Sequence, residues 1–429
     1  MTNKIAISIL LSAFIVLGLT ARKKALVHPT GENASCRLIL APLPIIKPID
    51  QEIARQQALV VSSSSSANAL ERLGWTFIRK ARVSFDAGFY NLAEQCAACM
   101  EARGLKGPDA LLLRAHALQS LHRFRDAETT ARELVRLRER PFDYGVLGDV
   151  LMDQGKVREG AAAYQKMVDL RPDLQSYARA AHVRWLTGDL DGAIQLIKLA
   201  TAAGSPNDPE TGAWVFTRLA LYQFQRNATK SALESCAAAL ALESDYAPAM
   251  LIRGRILLAL NRTADALIEL QHAAELNPLP EYQWAVADAL AATGARDTAE
   301  QIESKITESS EDPRTISLFL ATRHEDVDRA VQLAQQELSN RGDVFTHDAL
   351  AWALAAAGRT TEAQQHATEA LSQGTADPRL FLHAGIIAAL NNDKRQAKRL
   401  LAQSSASKQT LLPSERAQLD AWLAKINFR

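Results

Sequence analysis

The chain has 429 residues, 48% of them hydrophobic and 23% charged, with a formal net charge of +1. That balance fits a folded protein and gives no electrostatic case for nucleic acid as a partner. Four cysteines, Cys36, Cys96, Cys99 and Cys236, are too sparse for a disulfide scaffold.

Residues 1–24 form a separate element. Lys4 precedes an apolar run from Ile5 to Leu19, which Arg22, Lys23 and Lys24 close. A basic start, this length and an abrupt end predict a signal peptide or a short membrane anchor. Leu19, two residues before Ala21, makes a poor cleavage site, and basic residues at both ends leave the orientation open. The expectation is an exported chain. It would be membrane-anchored facing the periplasm or extracellular side, or released to the periplasm if the run is cleaved. Residues 25–66 read as a Pro/Ser-containing linker. Pro29, Gly31, Pro42, Pro44 and Pro48 interrupt long helices, Gln51 to Val61 suits a short one, and Ser62 to Ser66 breaks order.

From Ala67 onward the pattern is helical throughout. The clearest stretch, Phe142 to Pro172, sets Tyr144, Leu147, Gly148 and Leu151 on one helix and Gly160, Tyr164 and Met167 on the next, across a turn at Gly155. Gly148 and Gly160 are unfavourable inside helices unless two backbones approach closely there. Pro248 to Pro278 repeats the arrangement with Met250, Gly254, Leu257, Ala266, Leu270 and Ala273. A small residue recurs at Ala93, Ala127, Gly160, Ala193, Ala232, Ala266, Ala299, Ala330, Ala363 and Ala397. Most intervals are 33 or 34 residues. The stretch around Gly204 to Pro209 lengthens one interval, and Arg323, His324 and Glu325 shorten another, predicting a clipped helix there. Turns between paired helices fall at Gly88, His122, Gly155, Gly188, Asn227, Asn261, Gly294, Gly358 and Asn392, mostly residues that tolerate left-handed geometry. Ser414 to Ile426 reads as a capping helix.

This periodicity and these residues resemble the tetratricopeptide repeat (TPR). The resemblance covers about residues 67 to 410. It implies an all-α solenoid of about ten helix pairs in a right-handed superhelix, with the cap completing residues 67–429. The lack of strand-like alternation excludes an α/β enzyme core.

Chemistry is scarce. Cys96 and Cys99 have the CxxC spacing but lie mid-helix, where packing is the expected role. His347 and Asp348 are adjacent on a helix and point apart. No nucleotide, metalloprotease or nucleophile-elbow motif is present, and the expectation is no enzyme and no cofactor or metal.

The resemblance implies binding of a protein or peptide along the concave face, at exposed positions of each first helix. Aligning the units places His116, Asp149, His182, Trp185, Trp214, Leu221, Arg255, Trp284, Asp288, Asp348 and Trp352 there. Four tryptophans on one face suit an interface, and Arg255 opposite Asp288 would set the polarity of an extended peptide. The expected function is a non-enzymatic scaffold or adaptor. The alternative is a carbohydrate or cell-wall polymer stacked on the aromatic groove. An enzyme built on His182, Asp149 and His116 is the least supported reading.

Overall fold

Two residue types mark the helix starts. Asp173, Asp189, Asp208, Asp343, Asp377 and Asp393 each accept a hydrogen bond from a first-turn backbone N–H. Proline opens others, at Pro108, Pro141, Pro280 and Pro313, where a helix has no use for the missing N–H. The computed structural model describes residues 33–63, 67–205 and 207–427, and among them holds 23 α-helices and no β-strand.

Two short helices, α1 (Ala34–Ile39) and α2 (Pro48–Ser62), come first. Ten hairpin units follow. They are α3 (Ala67–Ser84) with α4 (Gly88–Ala102), α5 (Pro108–Ser120) with α6 (Phe124–Leu137), and α7 (Pro141–Asp153) with α8 (Val157–Leu170). Next are α9 (Leu174–Leu186) with α10 (Leu190–Ala202), α11 (Pro209–Gln225) with α12 (Thr229–Leu242), and α13 (Ala247–Ala259) with α14 (Thr263–Leu276). The last four are α15 (Pro280–Ala292) with α16 (Arg296–Glu308), α17 (Pro313–Arg323) with α18 (Val327–Asn340), α19 (Val344–Ala356) with α20 (Thr360–Ala370), and α21 (Pro378–Leu390) with α22 (Lys394–Ala406). A single helix, α23 (Pro413–Asn427), ends the array. The architecture is a TPR-like superhelical solenoid with a distinct C-terminal helix.

The packing explains the repeat. Each recurring alanine of the second helices is at most 3% exposed, because only a small side chain fits where the paired helices cross. Gly148 serves the same contact from the other side: a Cβ there would lie 2.3 Å from the Tyr164 ring. Gly254 against Leu270 and Gly385 against Leu401 repeat it, at 2.6 and 2.8 Å. The turns carry their left-handed residue at His122, Gly155, Gly188, Asn227, Asn261, Gly294, His324, Gly358 and Asn392. In the first unit that residue is Phe85, not Gly88. The clipped helix is α17, with 11 residues where its neighbours α15 and α19 have 13.

Where the sequence reads as linker, the chain folds back onto the first unit. Ile39, Ile53 and Val60 are buried with Leu70, Leu73 and Phe77. Lys80 Nζ lies 2.8 Å from Asp50 Oδ1 across α3 and α2. Cys36 of α1 is disulfide-bonded to Cys99 of α4. Cys99 therefore does more than fill space, while Cys96 and Cys236 are free, buried thiols. Burial pushes the Cys96 thiol well above its usual range, and Cys236 up to about 12.

The superhelix also meets itself. Gly155 in the α7–α8 turn touches Gly342, just before α19, and Gly188 in the α9–α10 turn touches Gly374, before α21. Arg341 Nη2 lies 2.6 Å from Asp153 Oδ1, and Thr375 Oγ1 donates to the Leu186 carbonyl at 2.6 Å. Gln409 Nε2 donates to the Phe224 carbonyl at 3.0 Å. The third, fourth and fifth units thus each contact the segment that follows the unit five further on, and successive gyres stack.

The expectation of membrane attachment is corrected. No helix among the described residues is long and apolar enough to cross a membrane. The run from Ile5 to Leu19, on which that expectation stood, lies outside the described residues. The membrane partner and the anchored or exported placement built on it are not carried further.

Candidate functional site

The inner faces of the first gyre enclose a cavity of about 480 Å³, within the size range of small-ligand pockets. Residues at spacings of three and four on each first helix point into it. His116, Gln119 and Ser120 come from α5, and Phe142, Asp149, Met152 and Asp153 from α7. Leu174, Gln175, Ala178, Arg179 and His182 come from α9, and Glu210, Thr211, Trp214 and Arg218 from α11. Arg82, at the end of α3, lies 3.4 Å from Glu210 at the start of α11, so the wall is joined from the first unit to the fifth.

The charges in this wall are unevenly committed. Arg179 donates through Nε and Nη2 to Asp149 at 2.8 and 2.6 Å, and the Tyr164 hydroxyl donates to the same carboxylate at 2.7 Å. Asp153 is engaged by Gln119 and by Arg341 across the gyre seam. Burial raises the Glu210 carboxyl above its usual range, against the pull of Arg82. Burial, reinforced by Arg82, lowers His116 to about 4, and burial with Arg218 lowers His182 to about 4. Both imidazoles are therefore neutral near pH 7.

Of the predicted groove residues, His116, Asp149, His182 and Trp214 meet at this cavity. Trp214 is 40% exposed. The other three tryptophans are not available: Trp185, Trp284 and Trp352 are 5%, 2% and 4% exposed. Other parts of the chain cover them. Trp185 stacks on Phe345 of the next gyre, ring centres 5.7 Å apart, and its Nε1–H donates to Gln225 Oε1 at 2.7 Å. Trp284 meets Phe319 edge-on and lies under the Arg379 guanidinium, 5.3 Å from the ring centre. Trp352 stacks on His383 at 4.3 Å and donates to Thr322 Oγ1.

The polar residues of the second gyre are likewise spent on structure. Asp288 accepts from the Ser414 backbone N–H at 2.9 Å and from its hydroxyl at 2.6 Å, capping α23 from inside the superhelix. Asp348 lies 2.9 Å from His383 Nδ1, both buried. Arg255 donates to the Thr410 carbonyl at 2.8 Å. Arg255, Trp284 and Asp348 border a second cavity of only about 120 Å³. The predicted opposition of Arg255 and Asp288 as a peptide-reading pair is therefore replaced by two separate anchors for the C-terminal segment. Leu221 packs beside Phe224 and Cys236. His347 has its Nδ1 3.1 Å from His366 Nδ1.

No family model matches the chain, and no curated protein matches it. Several solved structures are similar. MamA is 20% identical with a TM-score of 0.32, over 38% of this chain and 93% of its own. PilF of Pseudomonas aeruginosa is 19% identical with a TM-score of 0.35, over 49% of this chain and 92% of its own. A human IFIT1 dimer with PPP-AAAA is 12% identical with a TM-score of 0.49, over 86% of this chain and 93% of its own. These likenesses are too loose to carry an argument about the site.

Sequence reasoning missed Arg82, Arg179, Glu210 and Arg218 of the cavity wall. Arg179 and Arg218 were within reach of it: one lies three residues before His182, the other four after Trp214, each on the inner face already identified. Among the described residues no group of three or more His, Cys, Asp or Glu is placed to hold a metal ion.

Proposed function

We propose that this protein is a non-enzymatic scaffold or adaptor that takes a segment of a partner protein into the first-gyre cavity. The observation that carries this reading is Trp214, a large ring 40% exposed at a cavity of about 480 Å³ whose other walls are packed. An exposed aromatic beside a concave, partly polar wall is the usual form of an interface anchor. The second gyre is not the receptive part, because α23 and Arg379 occupy its inner side. The carbohydrate alternative needs a run of open aromatic rings, and three of the four tryptophans are covered.

The test is selection of binders from a random heptapeptide library against the full chain. Selected peptides are then titrated against Trp214→Ala and against Ile268→Ala, a change on the outer surface. The reading predicts a loss of about 2 kcal/mol with Trp214→Ala and none with Ile268→Ala. Equal affinities for both variants and the unaltered protein contradict it.

A further inference from the structure

We propose that the segment received by the first-gyre cavity carries a carboxylate side chain bound by Arg218, and an apolar or aromatic residue two positions away that lies on Trp214. This rests on the reading of the cavity as a peptide site and adds the chemistry of what it selects.

Arg179 is matched by Asp149, Asp153 by Arg341, and Arg82 by Glu210. Arg218 remains. Its guanidinium lies 5.4 Å from the Trp185 ring centre and 5.3 Å from that of Tyr222, and Nη2 donates to the Tyr222 hydroxyl at 3.3 Å. Among the described residues no carboxylate pairs with it. A guanidinium carries five N–H donors in a planar fork, and here a single hydrogen bond, to the Tyr222 hydroxyl, uses one of them. The two rings lie within cation–π distance of the guanidinium, and a guanidinium with donors to spare can make two parallel bonds to a carboxylate. Neither imidazole alters the charge balance, since His116 and His182 are neutral near pH 7. Arg218 is therefore the arginine of the cavity wall that has no carboxylate partner among the described residues.

Geometry supplies the spacing. Trp214 and Arg218 are four residues apart on α11, so they share a face about 6 Å apart along the axis. In an extended segment, side chains two residues apart point the same way and are separated by about 6.6 Å. An acid-x-apolar sequence thus sets its carboxylate at Arg218 and its apolar side chain at Trp214 in one pose.

The experiment uses the full chain and heptapeptides selected from a random library, resynthesised with both ends blocked so that no terminal carboxylate contributes. Each is prepared with its acidic residue and with the matching amide. Affinities are measured against the unaltered protein, Arg218→Gln and Arg218→Lys, with thermal melts beside them. The expected result is enrichment of Asp or Glu two positions from an apolar residue. The acid form should bind at least about tenfold more tightly than the amide to the unaltered protein. That preference should vanish in Arg218→Gln and persist, reduced, in Arg218→Lys. Because the result is a ratio of acid to amide form, a general loss of affinity does not imitate it. Should Arg218→Gln not fold, loss of the preference in Arg218→Lys to below twofold would count against the proposal and its retention would support it. Peptides without acids, or a preference unchanged in Arg218→Gln, overturn the inference while leaving the cavity reading intact if Trp214→Ala still weakens binding. Binding insensitive to Trp214→Ala overturns both.

Discussion

Gly155 lies so close to Gly342 that a Cβ on Gly155 would sit 2.0 Å from the Gly342 carbonyl oxygen. The two belong to different gyres, and nearby Arg341 pairs with Asp153 over the same seam. Gly155 is thus a glycine for two reasons: a φ of +73° and the absence of room for any side chain. Gly358, with a φ of +75°, has open space instead. Asparagine tolerates the left-handed region, so it separates the two reasons. Gly358→Asn should cost less than about 1 kcal/mol, whereas Gly155→Asn should cost about 2 kcal/mol or more by forcing the gyres apart. Denaturant melts check this, and equal losses would show that the seam is not closed in solution.

The Cys36–Cys99 disulfide ties α1 to α4 across 63 residues of chain. Closing a loop of that length stabilises by about 4 kcal/mol on the chain-entropy model. Cys99→Ala should therefore cost far more than Cys96→Ala, for which about 1 kcal/mol is expected. Peptide mapping without reductant should recover the linked peptides, and reductant should lower the stability of the unaltered protein but not of Cys99→Ala. Equal sensitivity of the two proteins would contradict the crosslink.

His116 and His182 make stability depend on pH. Their folded values, lowered from 6.5 to about 4, mean the unfolded chain binds more protons between those limits. Stability should then fall as pH drops from 6.5 to about 4 and level off below it, with each histidine contributing at most about 3 kcal/mol. Replacing both with glutamine should flatten that limb in unfolding titrations at stepped pH. An unchanged slope would place the two imidazoles in solvent.

The repeat itself was legible because one small residue per unit has no alternative. Alanine at positions such as Ala127 and Ala266 sits where helices cross, and Gly or Asn at Gly188 and Asn261 sits where φ is positive. Phe85 escaped notice because a bulky aromatic ring rarely holds such a conformation. Four residues predicted for the inner face, Trp214, His116, Asp149 and His182, do line one cavity. What could not be read is which inner-face residues stay open. Trp185, Trp284 and Trp352 are covered by Phe345, Arg379 and His383, and that depends on superhelical pitch, which no single repeat encodes. Cys36 was missed for a related reason: its partner is reached only when a proline-rich stretch folds back.

Trp214 and Trp352 were both expected on the concave face but are 40% and 4% exposed, and comparing them tests the claim that the first gyre alone is receptive. The measurement is calorimetric titration of one library-selected peptide against Trp214→Ala and Trp352→Ala, with thermal melts of each. Trp214→Ala should lose about 2 kcal/mol of binding and little stability. Trp352→Ala should lose about 3–5 kcal/mol of stability and, below its melting temperature, bind as the unaltered protein does. Loss of affinity in Trp352→Ala with full affinity in Trp214→Ala would contradict the account.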